Sequence, residues 1–264
     1  MANNTYALVT GGSSGIGLAF SRRLAELGHN ILLVSNQRHE LEVVASELHT
    51  NFGIKTATLF IDLARQEAAQ EVFDFCRQHN FEVEILINNA GIFYFKYIYE
   101  TDISLINKIL NLHIITPALM VKLFSEPMRE GKNGYIMNIS SIAAWMKFPG
   151  IAFYGATKAF VRNVSMGVAE ELCSSNVSAT AVCPGAVATD LYNLSPKYQK
   201  LGIRLGIIVL PEKLAKRAIK KMFKRRKQYI PSPLVNRSAI WLCNHLPHFL
   251  IQAIKQKIDN ANIK

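Results

Sequence analysis

The chain has 264 residues, half of them hydrophobic, with a mean hydropathy of +0.13, which is enough for a buried core in one large domain or two small ones. No run reaches the ~18 consecutive apolar residues of a membrane-spanning helix, and the opening MANNTY lacks a charged leader before an apolar stretch, so neither a span nor a signal peptide is expected. The net charge of +11 is lopsided: residues 1–200 hold 16 Lys+Arg against 17 Asp+Glu, whereas residues 201–264 hold 14 against 2, a net of +12.

Thr5 to Thr10 is a short run of β-formers and reads as a buried strand. It leads into TGGSSGIG, residues 10–17, and then into a helical pattern that stops at Gly28. Strand, glycine-rich turn, helix is the setting in which such a motif binds a dinucleotide. Gly11 permits the tight turn, and Gly15 and Gly17 let the backbone approach a pyrophosphate and the strand. The helix N-terminus attracts the phosphate charge. Asn30 to Val34 reads as the second strand, and it ends at Ser35 and Asn36 with Arg38 beyond. An acid there would bind the adenosine 2′-hydroxyl. Its absence removes repulsion against a 2′-phosphate, so NADP(H) is favoured over NAD(H).

The alternation continues with a helix over Glu40–Thr50, a strand over Lys55–Phe60 ending near Asp62 and Leu63, and a helix over Arg65–Gln78. Glu84 to Ile87 runs as a strand into NNAG, residues 88–91. Asp102 to Glu130 is a long helical stretch containing Asn111, a poor mid-helix residue that suggests a local distortion or a water site. Tyr135 to Ile139 is the next strand, followed by Ser140 and Ser141. A helix is expected over Tyr154–Leu172 and a strand over Val177–Cys183, with PGAVATD, residues 184–190, turning the chain at the strand's carboxyl end. Residues 191–210 read as loop with an apolar patch. Glu212 to Lys227 reads as an amphipathic helix with a basic face, Tyr229 and Ile230 as a last short strand, and Ser238 to Ile258 as apolar and basic by turns.

The chemistry is expected between Ser141 and Lys158. Tyr154 and Lys158 are four apart, so on a helix they share a face. A neighbouring ammonium lowers a phenol's pKa from ~10, which makes it a usable general acid or base. The Ser141 hydroxyl can donate to a substrate oxygen on which charge develops. Cys76, Cys173, Cys183 and Cys243 are scattered without a C-x-x-C pair, and His245 and His248 read as loop residues either side of a proline. No metal site or disulfide framework is therefore expected, and the pattern fits a reducing, cytoplasmic compartment.

TGGSSGIG, Asp62, NNAG, Asn111, Ser141, Tyr154-x-x-x-Lys158 and PGAVAT at 184–189, in that order, closely resemble the short-chain dehydrogenase/reductase family over about residues 5–190. The resemblance implies an α/β Rossmann fold: a single domain with a doubly wound parallel sheet of about seven strands and helices on both faces. It implies that Tyr154 is the general acid for carbonyl reduction, that Lys158 lowers its pKa and binds the nicotinamide ribose, and that Ser141 bonds the substrate oxygen. Asn111 would hold a water that relays protons to Lys158. The cofactor would be held by Gly11, Ser13, Ser14, Gly15, Ile16 and Gly17, by Ser35, Asn36 and Arg38, by Asp62 and Leu63 at the adenine, and by Asn89, Ala90 and Gly91. Pro184, Gly185, Val187 and Thr189 would complete the nicotinamide end. The chain departs from many NADPH-binding members in having Ser14 and Asn36 where they have a basic residue.

The substrate implied is a small-molecule carbonyl or alcohol, of fatty-acyl or steroid-like character by the apolar tail. A homodimer or homotetramer through the Asp102–Glu130 and Tyr154–Leu172 helices follows from the same resemblance. The basic face of Glu212–Lys227 suits an anionic membrane surface, an acyl-CoA or an acyl carrier protein, with the protein peripheral at that membrane. The alternative of a non-catalytic dinucleotide-binding regulator has no use for the full Asn111, Ser141, Tyr154 and Lys158 set. Nucleic-acid binding is not expected, because aromatic residues do not interleave the basic helix.

Overall fold

The structure, a computed structural model, describes residues 4–131, 133–189, 196–247 and 249–250. Seven strands form one parallel sheet: β1 (Thr5–Thr10), β2 (Asn30–Ser35), β3 (Thr56–Phe60), β4 (Glu82–Asn88), β5 (Gly134–Ile139), β6 (Val177–Val182) and the two-residue β7 (Gln228–Tyr229). Their order across the sheet is β3-β2-β1-β4-β5-β6-β7. The order reverses between β1 and β4, and in such sheets the crevice outside the strands' carboxyl ends at that point binds ligands.

Strand residues alternate between two cores, as the two-residue period of a strand requires. Ala7 and Val9 of β1 and Ile31 and Leu33 of β2 pack under α1 (Gly15–Glu26), α2 (Arg38–Phe52) and α8 (Pro211–Phe223). Tyr6 and Leu8, with Leu32 and Val34, pack under α3 (Ala68–Gln78), α5 (Thr116–Glu130) and α6 (Ala152–Glu171). With both faces covered, β1 and β2 read as nearly continuous apolar runs.

The long helical stretch is continuous from Ile103 to Glu130 but not uniform. Helix α4 (Ile103–Leu110) passes into a π turn over Asn111–Ile115 and then into α5. The Thr116 N–H reaches back five residues to the Asn111 carbonyl. The stretch has the length and hydropathy of a membrane span, and Met120, Phe124 and Met128 of α5 are buried in the second core.

Two expectations need correction. Residues 191–210 are not all loop: α7 spans Pro196–Arg204, with proline at its start, where the missing N–H costs nothing. The amphipathic helix ends at Phe223 rather than Lys227, because Arg225 adopts φ 53° and turns the chain into β7. A further helix, α9 (Pro233–His245), occupies part of the tail. Asp190 to Ser195, His248 and the tail beyond Leu250 lie outside the described residues.

Candidate active site

Two adjoining cavities of about 220 and 150 Å³ open at the switch point, and both are lined by Gly11, Ser14, Ala90 and Gly91. In the larger, the glycine turn supplies Gly15 and Ile16, and the turn just after β4 supplies Asn89. The opposite wall is Ser141, Tyr154 and Lys158, with Pro184, Gly185, Val187 and Thr189 closing the third side. The smaller cavity adds Ser35, Asn36, Asp62 and Leu63. The sequence motifs, scattered over more than half of the chain, therefore converge on one cleft.

The glycine turn is tightly built. A Cβ on Gly17 would overlap the Gly11 carbonyl oxygen, so only glycine allows α1 to start so close to β1. Asn89 ties the turn to β4: its Nδ2 donates to the Thr10 carbonyl at 3.0 Å, while Thr10 Oγ1 accepts from the Asn89 and Ala90 N–H groups at 2.9 and 3.0 Å. The first turn of α1 carries no acid, which leaves its N-terminal dipole open to an anion.

Three expected cofactor residues sit differently from the simple reading. Ser13 and Ser35 are buried and bonded to each other, Oγ to Oγ, at 3.0 Å, and the Ser35 hydroxyl also accepts from the Gln37 N–H at 3.2 Å. Arg38 holds its guanidinium over the Phe60 ring, 4.2 Å from the centroid, and does not line either cavity. Exposed Asn36 is therefore the side chain at the end of β2 best placed to meet a ribose substituent. Gln37, Ile61, Ile92 and Lys108 also line the cleft and were missed. No short motif marks them, since each reaches the cleft only through the fold.

On the catalytic wall, Tyr154 and Lys158 stand one turn apart on α6, with the Lys158 ammonium 5.7 Å from the Tyr154 ring centroid. Lys158 Nζ donates to the Ile139 carbonyl at 3.0 Å, and Ser140 Oγ donates to the Lys158 carbonyl at 2.7 Å. The helix is thus pinned to the end of β5. Burial pushes the Lys158 ammonium down to about 8. Ser141 Oγ accepts from the Ala143 N–H at 3.1 Å and donates to the Pro184 carbonyl at 3.5 Å, a long bond that a better acceptor can replace. Phe93 packs edge-on against Tyr154 with ring centroids 5.0 Å apart. Asn111 opens the π turn and is not on the wall of either cavity, whereas its neighbour Leu112 is.

Helix α9 contacts two segments next to this site. Buried Asn236 of α9 lies where a Cβ on Gly185 would overlap its Oδ1, so the helix approaches the turn after β6 closely. Asn244, near the other end of α9, donates through Nδ2 to the Trp145 carbonyl at 2.8 Å and accepts from the Lys147 N–H at 3.0 Å. One helix is thereby anchored to both loops that flank Tyr154. On α9, Leu234, Trp241 and Leu242 are exposed apolar side chains, as are Leu201, Leu205 and Ile207 on α7 and just after it.

A doubly wound sheet with a glycine turn at its switch point, facing a tyrosine, lysine and serine, defines a dinucleotide-dependent oxidoreductase. The chain belongs to the short chain dehydrogenase family, whose pattern it matches over residues 5–199. It is 33% identical over 202 residues to the very-long-chain 3-oxoacyl-CoA reductase of Anas platyrhynchos, a match covering 74% of this chain and 64% of that protein. The protein of the same name from Macaca fascicularis is 29% identical over 265 residues, covering 97% of this chain and 80% of the relative. Among solved structures, a short-chain dehydrogenase from Sphingobium yanoikuyae in complex with NADPH superimposes with a TM-score of 0.78 at 26% identity, covering 97% of this chain and 95% of that one. The chain thus spans slightly less than two thirds of the duck relative's length.

Proposed function

We propose that the protein is a ketone reductase of hydrophobic, fatty-acyl or steroid-like substrates, interconverting ketone and secondary alcohol with NADP(H) favoured over NAD(H). The observation that carries this reading is the convergence of Ser141, Tyr154 and Lys158 on the cleft wall opposite the glycine turn. The residues fit a dinucleotide: a Cβ on Gly15 would come within 3.5 Å of Thr189 Cγ2, so the cleft's two sides nearly meet there, and the end of β2 carries no acid. Very-long-chain 3-oxoacyl-CoA reductases among the relatives, and NADPH in the Sphingobium structure, favour the same substrate class and cofactor.

A bound nicotinamide supplies or accepts the hydride at the carbonyl carbon. Tyr154 gives its phenolic proton to the carbonyl oxygen in reduction and takes it back in oxidation. Ser141 exchanges its long bond to Pro184 for one to that oxygen, strongest when charge develops there. Lys158, charged below about 8, favours the phenolate that forms, and Asn111 would hold the water that returns a proton to it. The apolar rim around α9 takes the substrate's hydrocarbon body and keeps water from the reacting atoms. A homodimer or homotetramer would cover Ile115, Leu119 and Phe160, apolar side chains exposed on the outer surface of α5, α6 and the π turn. We place the protein in the cytoplasm, peripheral at an anionic membrane.

The test is an absorbance assay of NADPH and NADH oxidation with long-chain 3-oxoacyl-CoA, steroid ketones and bulky aryl ketones. Turnover of long-chain or steroid ketones with NADPH supports the reading. Turnover confined to small polar carbonyls, or none with a folded and dinucleotide-binding protein, overturns it.

A further inference from the structure

His113 lies two residues into the π turn, 1% exposed, in contact with the catalytic helix but outside every motif of the sequence. Its two ring nitrogens bridge the Ile92 segment and α6 by hydrogen bonds, beside the ring contact of Phe93 with Tyr154. Nε2 faces the Ile92 N–H at 3.0 Å, on the chain just past the glycine of NNAG. Nδ1 faces Thr157 Oγ1 at 3.1 Å, and that hydroxyl donates to the Tyr154 carbonyl at 2.8 Å. Thr157 stands between Tyr154 and Lys158 on α6.

The donor and acceptor roles in this chain are determined twice over. A backbone N–H only donates, so Nε2 must accept from Ile92 and carry no proton. The single Thr157 proton is used on the Tyr154 carbonyl, so toward His113 the hydroxyl accepts and Nδ1 must donate. Both ends demand the same neutral, Nδ1-protonated ring. An imidazolium would set an N–H against the Ile92 N–H, and both burial and the Lys158 charge hold the ring's pKa well below 6.5. The fit is close: a Cβ on Gly91 would come within 2.9 Å of Nε2, so the last glycine of NNAG makes room for the ring. The His113 ring also stands 5.9 Å from the Tyr154 ring, in T-shaped contact.

We propose that His113 is a positioning residue that locks the Tyr154 turn of α6 to the Ile92 side of the cofactor cleft through Thr157. The proposal rests on the assignment of Tyr154 as the proton donor. In a hydride and proton transfer the phenol must hold its place relative to the bound dinucleotide, and displacement by ~1 Å costs on the order of 10²-fold in rate. Ile92 lines the larger cavity, so the bridge joins the wall that holds the cofactor to the residue that delivers the proton.

Two arms test it. In protein labelled with ¹⁵N-histidine, long-range ¹H–¹⁵N spectra at pH 7, which need neither substrate nor cofactor, should include an Nδ1-protonated neutral signal that vanishes in His113→Asn, while His49, His79 and His245, whose Nδ1 atoms also face carbonyls, keep theirs. A His113 signal of the Nε2-protonated or imidazolium form overturns the bridge whatever the enzyme reduces. For kinetics, the probe is whichever carbonyl of the panel above the wild type reduces with NADPH. His113→Asn keeps a donor toward Thr157, His113→Gln keeps an acceptor toward Ile92, and Thr157→Val removes the shared hydroxyl. Each should lower kcat at least about tenfold, with KM and NADPH affinity within about twofold, and Thr157→Ser should recover most of the loss. His113→Asn/Thr157→Val should be no slower than Thr157→Val alone. Variants with a lower thermal midpoint but wild-type kcat at temperatures where they are folded, or with multiplicative losses, would show His113 to be packing alone. A wild type that reduces none of the carbonyls refutes the proposed function, and the tautomer spectrum then decides the bridge by itself.

Discussion

The first three quarters of the chain and the last quarter solve different problems with different residues. Residues 1–200 are close to charge-neutral and bury nearly all of β1, β2 and β6, although the edge strand β3 is only partly covered. Residues 201–264 carry a net +12 and leave Leu205, Leu234, Trp241 and Leu242 exposed. A site that must hold the same cofactor in every turnover is built from backbone and buried bonds. The proposed hydrophobic substrate would need such an uncovered apolar surface, since exposed patches of that kind mark binding regions; Ile98, Tyr99 and Ile103 of the first region are exposed as well. The contrast lies also in the anchoring: α8 buries its apolar stripe fully against the first core, whereas α9 meets the segments beside the site through Asn236 and Asn244.

The sharpest way to break the contrast is to remove the one group that belongs to chemistry and not to packing. Tyr154→Phe should lower turnover by ~10² to 10⁴ while NADPH affinity, read by fluorescence titration, stays within about twofold. A folded variant with near-normal turnover removes Tyr154 from the role. Next in size is the pH response. The Lys158 charge is present below about 8 and lost above it, so kcat/KM for reduction, which reports the free enzyme, should fall about tenfold per unit above that pH. A profile flat to pH 9.5 would show that the charge is not used. Stability should respond in the opposite sense to activity. Burial lowers the folded-state value, so between about 8 and the ordinary lysine value of 10.5 the unfolded chain binds more protons, and the stability of the cofactor-free protein should rise with pH.

How much of this was readable beforehand follows the same division. Strands β1 and β2 announced themselves because a strand covered on both faces must be apolar throughout, and glycine motifs announce themselves because no other residue fits. Asn111 signalled a distortion correctly, and the π turn is that distortion. His113 gave no signal, since a buried histidine is recognisable only from what faces its two nitrogens. Likewise, the sequence could not show that Ser35, which lines the smaller cavity, also accepts from the Ser13 hydroxyl and the Gln37 N–H. Helix α7 was hidden because Gly202, Gly206 and the apolar LGIIVL run break the helical period that would have revealed it. Helix α9 was hidden because its anchors, Asn236 and Asn244, find partners far away in sequence.

That burial of Ser35 moves the cofactor test to its neighbour. Wild type should bind NADPH about tenfold more tightly than NADH, worth about 1.4 kcal/mol. Asn36→Asp should erase or reverse this, because an exposed carboxylate there repels a 2′-phosphate and accepts from a 2′-hydroxyl. Titration of both dinucleotides decides it, and tighter NADH binding by the wild type refutes the preference. A smaller effect is expected on the substrate side. Asn244→Ala removes two hydrogen bonds between α9 and the Trp145–Lys147 segment, and an exposed pair is worth about 1 kcal/mol. KM for a long-chain ketone should rise about fivefold with kcat nearly unchanged. Equal loss in kcat would mean that α9 also positions the catalytic wall.

The smallest effect on the fold, and the most direct probe of the charged region, concerns α8. Its apolar residues Leu214, Ala215, Ala218, Ile219 and Met222 are buried, while Lys213, Lys216, Arg217, Lys220 and Lys221 all face solvent. Packing therefore uses only one side of the helix and leaves a one-sided cationic face, continued by Lys224 and Arg226 and only partly offset by the Lys227–Glu170 ion pair at 2.5 Å. Replacing Lys220, Lys221, Lys224 and Arg226 with glutamine should change stability by less than about 0.5 kcal/mol, because exposed charges contribute little to folding. Attraction to an anionic bilayer is worth about 1 kcal/mol per basic residue near the surface, so the same variant should lose sedimentation with anionic vesicles at low salt. The wild type should bind anionic but not neutral vesicles, and less so at physiological salt. If the wild type ignores both kinds of vesicle and the variant's kinetics with long-chain 3-oxoacyl-CoA are unchanged, the cationic face serves solubility alone.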